Sequence, residues 1–373
     1  IMAIDKITTP AIADDAVTSD KVSYNKNQFR NLVINGDMSI AQRGADINDV
    51  AHGGYCADRF RCHKANTGEL VMNFDQVTDV PSSQGFTNSL KLSVGTAESA
   101  TASNELVGIG QRIEAQNLQY LKYGTSSAET LTISFWVKSS VTGTYAAFMF
   151  QQDASSSPDR RYYSKTFTID SADTWEKKTI QITGNQDDTI ANDNDIGLDF
   201  RIILSAGSGL TSGSSGAWGS DTNSAVGQTA NFSGTSSATF FLTGVQIEAG
   251  TSASDFEFLP HDVNFRRCQR YYYVHATANQ MVGTMWWYQS GINSTTCFFP
   301  TEMRSAPSLT TTTGTNYYRV FTGGSATDFN SLGSIQNASP HAAAVDSSLS
   351  GSSHNVGRLR CNTGGEVVFS SEL

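Results

Sequence analysis

Aromatic residues are concentrated in the stretch MVGTMWWY, residues 281–288. In a strand, Trp286 and Tyr288 would lie on one face and Trp287 on the other. One face must be buried, so at most about half of these rings and of Tyr317 can reach the surface. An exposed aromatic ring can stack on the apolar face of a sugar while polar neighbours bind its hydroxyl groups. Trp286, Trp287, Tyr288 and Tyr317 are therefore candidate glycan-binding residues.

A second candidate site lies in LTISFWVKSS, residues 131–140. Apolar and polar residues alternate there, and Trp136 falls on the polar face of the predicted strand. Gln111, Arg112 and Arg201, in neighbouring predicted strands, could flank this ring and bind sugar hydroxyls. The alternative is that Trp136 covers the polar face against a loop or a neighbouring subunit.

Two more tryptophans lie elsewhere in the chain. Trp218 stands in a long Gly/Ser-rich loop, residues 206–229. It is either a contact residue at the loop tip, and then a further glycan-binding candidate, or an anchor that holds the loop against the domain. Trp175, in the stretch TWEKKTIQI, is predicted to lie in the core.

Motifs of covalent and metal catalysis are missing from the sequence. It contains no G-x-S-x-G elbow, Walker loop, G-x-G-x-x-G, H-E-x-x-H or C-x-x-C. Nucleophilic, nucleotide-dependent and zinc chemistry therefore have no support. A glycan depolymerase needs only two carboxylates, and the chain has 35 acidic residues, so this alternative stays open. We expect a protein that is not an enzyme.

The composition is that of an exposed β-protein, with 32 glycines and only 16% charged residues. The formal net charge of -10, without a visible cluster of Lys and Arg, argues against a nucleic-acid or anionic-membrane partner. No run of 18 apolar residues occurs, and the first residues lack the layout of a signal peptide. We therefore expect neither membrane insertion nor secretory export.

The five cysteines are odd in number and widely separated, so a disulfide framework is not expected. The lone pair Cys62-His63 is a poor zinc signature, and we predict buried thiols.

Short β-rich runs, separated by Gly, Ser, Asn and Asp clusters, fill the chain from residue 31 to residue 247. They predict nine strands, at residues 70–74, 89–94, 107–115, 131–139, 145–151, 162–169, 175–183, 197–205 and 238–247. The one helix candidate is a single turn near residues 115–122. Many short strands without a long helix predict a β-sandwich of the jelly-roll kind.

Strand alternation returns after residue 261. It predicts six strands, at residues 270–275, 280–288, 294–300, 308–312, 317–321 and 366–369. Residues 323–357 are rich in Ser, Ala and Asn and are predicted to be loops. The predicted fold is all-β, with a jelly roll at residues 31–260 and a second β-sandwich at residues 261–373.

Residues 1–30 form a different kind of sequence, in which Ile7, Ile12, Val17 and Val22 recur every five residues. Pro10 excludes a continuous helix, and so few apolar residues cannot form a core alone. We expect a docking and trimerisation segment that is ordered only against other copies or a larger structure. The alternative is a flexible leader.

Two stretches carry a resemblance to a known group of proteins. They are GVQIEAGTSASDFEFLPHDVNFRRCQRYYY at residues 244–273, and NLVINGDMSIAQRG at residues 31–44 followed by YCADRFR at residues 55–61. These resemble the ends of the carbohydrate-binding-module-like jelly roll of many bacteriophage tail-fibre and tail-tip proteins. The likeness covers about residues 31–275, and MRSAP at residues 303–307 and the final FSSEL extend it.

The resemblance implies a homotrimeric virion protein that attaches to a host surface polysaccharide and docks on other virion proteins through residues 1–30. It places the second sandwich near the distal tip and the first strand of the jelly roll at residues 31–44. It also implies a structural calcium held by Asp37 and Glu248, since carboxylates suit a hard cation. The alternative is a purely structural virion component that binds no sugar.

Overall fold

The computed structural model describes residues 29–98, 102–152, 161–220, 223–349 and 355–373. Most of the secondary structure is antiparallel strand, arranged as two β-sandwiches, so the predicted all-β fold class is confirmed. Residues 1–28 of the predicted docking and trimerisation segment lie outside the described residues. Among the described residues, no helix has the length and apolar character needed to cross a membrane.

The first sandwich consists of a six-stranded and a five-stranded sheet. In spatial order the six-stranded sheet contains β1 (Asp46–Ile47), β3 (Val71–Val77), β4 (Ser89–Thr96), β11 (Thr239–Ala249), β6 (Leu131–Ser139) and β9 (Glu176–Ile182). The five-stranded sheet contains β2 (Arg61–Ala65), β5 (Leu106–Glu114), β10 (Ile196–Ala206), β7 (Gly143–Gln151) and β8 (Arg161–Ile169). Most successive strands belong to opposite sheets, so the chain crosses repeatedly between the layers, as in a jelly roll.

The second sandwich consists of a three-stranded and a seven-stranded sheet. The three-stranded sheet contains β12 (Tyr272–Ala276), β21 (Val367–Ser370) and β15 (Ser308–Thr311). The seven-stranded sheet contains β17 (Ser325–Phe329), β16 (Tyr318–Thr322), β20 (Val356–Cys361), β13 (Met281–Gln289), β14 (Ile292–Phe298), β19 (Ala342–Ser347) and β18 (Ile335–Gln336). A core that includes Met285, Trp287, Leu359 and Phe369 fills the space between the two sheets.

The two-residue period of the strands decides which side chains enter each core. In β6, Leu131, Ile133, Phe135 and Val137 are fully buried between the sheets of the first sandwich. Trp136 lies between two of them in sequence and points to the outer face of the six-stranded sheet. Each buried large apolar side chain contributes about 1.5–3 kcal/mol, which fixes the register of the strand.

All fifteen predicted strands are present, and each end lies within three residues of its predicted position. The helix candidate is also present, as a 3₁₀ helix at Ala115–Leu121. A second 3₁₀ turn, Ser208–Leu210, begins the long loop that follows β10. All five cysteines are buried free thiols, as the sequence predicts.

The loop prediction for residues 323–357 is wrong. This region contains β17, β18, β19 and the start of β20. In β19 the buried residues are Ala343, Val345 and Ser347, while Ala342 and Ala344 are less buried. Because alanine stands on both faces of this strand, the alternation of large apolar and polar residues that predicts a strand is absent.

The connector between the sandwiches contains a helix, α1 (His261–Gln269), that strand reasoning missed. Pro260 occupies the N-cap position, Asp262 lies in the first turn, and Arg266 and Arg267 lie in the last turn. Acidic residues near the start and basic residues near the end of a helix complement its dipole. The order of these residue types in LPHDVNFRRCQ therefore predicts a helix.

Residues 31–44 form turns, so the first strand that the resemblance placed there is wrong. The Asn31 side chain instead hydrogen bonds to β11, donating to the Val245 carbonyl and accepting from the Ile247 N–H. Asn35 has a positive φ of 61° and donates from its amide to the carbonyls of Ile40 and Asp58. Two asparagines therefore supply the hydrogen bonds that a strand would have made.

A buried charge joins the two sandwiches. The side chain of Arg59 is 1% exposed and forms an ion pair with Glu372, which follows the last strand of the second sandwich. Its guanidinium also donates to the Arg112 carbonyl at 2.8 Å and lies 3.5 Å from the centre of the Tyr271 ring. Arg43 donates to the other Glu372 oxygen at 2.9 Å. The first sandwich thus supplies the cations and the second supplies the carboxylate.

A second ion pair lies beside this contact, with the charges reversed. Glu114, at the end of β5, accepts two hydrogen bonds from Arg270, at 2.8 and 2.9 Å, and one from the hydroxyl of Tyr271. Burial opposes ionisation of Glu114, but the hydrogen bonds from Arg270 and Tyr271 outweigh it and hold the pKa of this carboxyl below its ordinary value of 4.5. Tyr271 therefore packs between the two sandwiches.

Replacing Glu372 by Gln should destabilise the protein by about 3–5 kcal/mol, because Arg59 would keep its charge without a buried counter-charge. Chemical denaturation followed by tryptophan fluorescence measures the change. Glu69→Gln is the matched control, since Glu69 is exposed and has no ion pair among the described residues, and it should shift stability by no more than about 0.5 kcal/mol. Equal stability of the two variants would contradict the role of the Arg59 contact.

The Glu114 contact predicts a defined pH dependence. Because its pKa is lower in the folded than in the unfolded chain, the stabilisation is fully present above pH 4.5 and is lost as pH falls through the folded-state pKa. The stability difference between the wild type and Glu114→Gln should therefore shrink as the pH falls below 4.5. A difference that stays constant from pH 7 to pH 3 would contradict this assignment.

Candidate functional site

A groove lies on the outer face of the seven-stranded sheet, and two aromatic rings form one of its walls. Trp286 and Tyr288 alternate along β13 with the buried residues Met285 and Trp287. Each of the two outward side chains is 46% exposed, and their ring centres are 5.3 Å apart. The alternation predicted from the sequence is confirmed, and it places two adjacent rings in solvent.

Small side chains form the floor of the groove. Ser294 pairs with Trp286 across β13 and β14, and Thr296 pairs with Ala344 across β14 and β19. Ala342 lies two pairs further along β19, on the same face. Because none of these side chains extends far from the sheet, a depression remains beside the aromatic wall. Its volume is about 710 Å³.

The opposite wall is the turn between β18 and β19, with Gln336, Asn337 and Ser339. Asn337 has a positive φ of 47°, a conformation that asparagine tolerates better than most residues. The Ser339 hydroxyl donates to the Ala342 carbonyl at 3.1 Å, which closes the turn. This wall therefore presents amide and hydroxyl groups towards the aromatic wall.

Asp346 is the carboxylate of the groove, and it lies next to the aromatic wall. The Tyr288 hydroxyl donates to Asp346 Oδ2 at 3.4 Å. Asp346 on β19 pairs with Ser294 on β14, so the Tyr288 hydroxyl reaches the carboxylate across the intervening strand β14. The lining thus combines two stackable rings with hydroxyl, amide and carboxylate groups, which can bind a polyhydroxylated ligand without a metal or a reactive nucleophile.

Two of the four aromatic candidates of the second sandwich are not in the groove. Trp287 is 2% exposed, belongs to the core and donates from its indole to the Leu349 carbonyl at 3.0 Å. Tyr317 packs partly buried against the same core, with its ring next to Gly314 and Gly364. The assignment of Trp287 as a sugar-contacting residue is therefore wrong, whereas that of Tyr317, which lies away from the groove, stays a prediction.

The candidates of the first sandwich do not form one site. Trp136 is on the outer face of the six-stranded sheet, whereas Arg112 and Arg201 are on the outer face of the five-stranded sheet, where both bind Asp199. Gln111 is buried and exchanges two hydrogen bonds with the backbone of Ile34, at 2.7 and 2.8 Å. The outer faces of the two sheets are on opposite sides of the sandwich. The prediction that these residues flank Trp136 is therefore wrong.

Trp218 anchors its loop, so the second of the two alternatives holds. Its ring lies 5.9 Å from Tyr123 and 5.4 Å from Tyr163, and its indole donates to the Thr183 carbonyl at 2.6 Å. The core prediction for Trp175 is wrong. Trp175 lies half-buried outside the core, and its indole donates to Asp79 at 3.1 Å.

Asp37 and Glu248, the predicted calcium ligands, both bind protein donors. Asp37 Oδ1 accepts from Asn264 at 3.2 Å. Glu248 accepts from the Ser254 N–H and hydroxyl, at 2.9 and 2.7 Å, and from Gln246 at 2.8 Å. Among the described residues, no group of three or more His, Cys, Asp or Glu side chains could hold a metal ion. Calcium binding stays a prediction from the resemblance.

Sequence reasoning missed most of the groove. The polar and small lining residues, apart from those of β14, lie in the region read as loops; they are Gln336, Asn337, Ser339, Ala342, Ala344 and Asp346. In the run AAAVDS, Ala342, Ala344 and Asp346 share the groove face, but the alanine on the opposite face removes the contrast that would have revealed the strand.

No protein-family model matches the chain, and no curated protein matches it. The solved structures with a limited likeness to this chain include the following three. The enzymatically active domain of bacteriophage CBA120 tailspike protein 4 is 14% identical over 55% of this chain and 22% of its own, with a TM-score of 0.32. A putative sugar binding protein from Bacteroides thetaiotaomicron is 12% identical over 59% of this chain and 100% of its own, with a TM-score of 0.34.

The third is the CBM22-2 xylan-binding domain from Paenibacillus barcinonensis. It is 16% identical over 52% of this chain and 92% of its own, with a TM-score of 0.30. This chain thus spans less than a quarter of the tailspike domain and nearly the whole of the other two proteins. At such TM-scores these likenesses carry no conclusion about the function of this chain.

The two neighbouring tryptophans of β13 should respond in opposite ways to substitution. Trp287→Ala should cost about 3–5 kcal/mol of stability, because it leaves a cavity in the core. Trp286→Ala should cost no more than about 1 kcal/mol, because this ring lies on the surface. Thermal and chemical denaturation of both variants measures the difference. A larger loss for Trp286→Ala would contradict the described orientation of β13.

Proposed function

We propose that this protein binds a glycan, without cleaving it, in the groove of the seven-stranded sheet. The observation that carries the proposal is the exposed pair Trp286 and Tyr288 beside a floor of small residues. Such rings cost free energy in water, and a monomer keeps them exposed mainly where they contact a partner. The flat apolar face of a sugar ring suits them, and the groove volume is in the range of small-ligand sites.

The polar lining supports a carbohydrate over a purely apolar ligand. Asp346 and the amides of Gln336 and Asn337 can accept or donate to several hydroxyls at once. Side-chain carboxylate and amide groups give orientation, while the rings give contact area. Asp346 is the one carboxylate among the lining residues, whereas glycoside hydrolysis uses a pair, so we propose binding without bond cleavage.

The resemblance of residues 31–61 and 244–273 supports a wider proposal, in which the protein is a bacteriophage tail fibre or adhesin. Three copies, held together through residues 1–30, would present three grooves. Because linked sites bind with an effective concentration that raises avidity, weak binding by each groove would suffice for firm attachment to a host polysaccharide. The location would be the virion, with other virion proteins as docking partners.

A structural role is the second candidate, and one observation favours it. Large apolar side chains beyond the groove are exposed on the same sheet face, including Phe298 at 72% and Val356 at 61%. A neighbouring subunit could cover this face together with Trp286 and Tyr288. In that case the protein would be a head fibre or decoration protein without a sugar ligand.

Binding to intact host cells, with and without competing purified surface polysaccharide, tests the proposal. The wild type should bind saturably, and the polysaccharide should abolish binding. Trp286→Ala and Tyr288→Ala should each weaken binding at least about tenfold, because about 1.4 kcal/mol, the scale of one aromatic contact, is a factor of ten. Trp175→Ala, which removes a half-exposed tryptophan from the first sandwich, is the matched control and should leave binding unchanged.

Two results would count against glycan binding in the groove. Unchanged binding by Trp286→Ala and Tyr288→Ala would move the site elsewhere on the protein. If the wild type does not bind host cells, and the two variants change its subunit number in sedimentation experiments, the structural role is correct.

A further inference from the structure

The outer face of the five-stranded sheet carries a cluster of cations that the proposed groove does not use. Arg61 on β2, Arg112 on β5 and Arg201 on β10 lie on neighbouring strands, because β2 and β10 both pair with β5. Asp199 binds two of them: Arg201 donates to it at 2.7 and 3.2 Å, and Arg112 at 3.4 Å. In a chain with a net charge of -10, such a concentration of positive charge needs an explanation.

Arg61 is the cation that Asp199 does not neutralise. Within the described residues, no carboxylate forms an ion pair with it, and its guanidinium contacts the Nδ1 atom of His63 at 3.4 Å. Burial, and then the charge of Arg112, lower the pKa of Arg61. The group is thus held partly out of water beside like charge, without a counter-charge of its own. A nearby anion would relieve this unfavourable electrostatic energy.

His63 adds a hydrogen-bond donor with no acceptor. Burial and the neighbouring guanidinium groups hold the pKa of His63 well below its ordinary value, so the ring is neutral. A guanidinium can only donate, so Nδ1 of His63 must accept from Arg61, and the ring proton is on Nε2. The side chain is 2% exposed, and Nε2 has no hydrogen-bond partner among the described residues. An unmade hydrogen bond of this kind is unfavourable, because the buried donor has lost its hydration without gaining an acceptor.

Glycines of β5 leave room for side chains of β10 to pack over this strand. Gly108 and Gly110 of β5 pair with His63 and Arg61 on one side and with Ile203 and Arg201 on the other. A Cβ atom at Gly110 would collide with the Phe200 carbonyl and lie 3.0 Å from the Arg201 side chain. Because Gly110 has no side chain, the Arg201 stem packs over the strand that separates it from Arg61, so both arginines lie beside one strip of the sheet at Gly108–Gly110.

We propose that this strip is a second binding site, distinct from the groove, and that it takes an anionic oxygen group. Arg61 supplies paired N–H donors, which match the geometry of a carboxylate, phosphate or sulfate. Arg201 adds the N–H groups that its two hydrogen bonds to Asp199 leave free, and His63 supplies Nε2–H. The site needs no residue of the second sandwich for its chemistry. The anionic group is either a free oxyanion or the acid group of a charged sugar.

Calorimetric titration of the full chain at constant ionic strength tests this proposal, with inorganic phosphate and with a glucuronate disaccharide as the two probes. At least one probe should bind, and Arg61→Ala should weaken that binding at least about tenfold. Tighter binding of the disaccharide would identify a charged sugar as the ligand, and tighter binding of phosphate a free oxyanion. Arg266→Ala, which removes an exposed arginine of α1, is the matched control and should bind as the wild type does.

Arg61→Lys and His63→Gln keep the proposal testable if Arg61→Ala does not fold. Lysine keeps the charge but cannot bind an oxyanion through two parallel hydrogen bonds, so affinity should fall several-fold. His63→Gln should also lower affinity, because the glutamine amide N–H cannot occupy the position of the histidine Nε2–H. If neither probe binds more tightly than chloride, or if the folded variants bind as the wild type does, the proposal is wrong.

Discussion

A guanidinium group withdrawn from water is stable only where carboxylates and carbonyls replace its hydration. Arg59 meets this condition only when both sandwiches are in place, because the first supplies the Arg112 carbonyl and the second supplies Glu372 and the Tyr271 ring. The Glu114 pair with Arg270 repeats the arrangement with the charges reversed. Docking of the sandwiches is thus coupled to their folding, and the sheet that carries the groove is held in one orientation relative to the first sandwich.

The stretches that resemble phage fibre proteins lie at this junction. Each stretch contributes a contact there. Asn35 of NGDM donates its N–H to Asn264 of α1, and the other contacts are made by Arg59 of YCADRFR, Arg270 of FRRCQRYYY, Arg304 of MRSAP and Glu372 of FSSEL. For example, Arg304 donates to the backbone carbonyls of Ser371 and Glu372, at 2.7 and 3.2 Å. Because these sequence patterns determine how the two β-sandwiches pack together, they indicate an architecture and not a particular ligand. The proposed ligand-binding sites lie elsewhere, on the outer faces of the sheets.

Strands with large apolar residues at every second position could be predicted, because burial at the core imposes that period. For β6, the predicted first and last residues are those of the structure. β19 could not, since alanines stand on both of its faces and leave no contrast to detect. The same reasoning placed Trp286 and Tyr288 on one face and Trp287 on the other, but could not say which face meets the core. Trp136 and Arg201 were grouped wrongly because strand period carries no information about which sheet a strand joins.

The central claim is that a glycan contacts the outer face of the seven-stranded sheet. The most direct measurement is the indole N–H spectrum of ¹⁵N-labelled protein, in which the chain's five tryptophans give separate signals, during titration with the host polysaccharide. The indole of Trp286 should shift with saturation, while those of Trp136, Trp175, Trp218 and the buried Trp287 stay nearly constant. A Trp286 signal that does not move while the polysaccharide binds would contradict the claim, and a shift confined to Trp136 or Trp175 would place the site on the first sandwich.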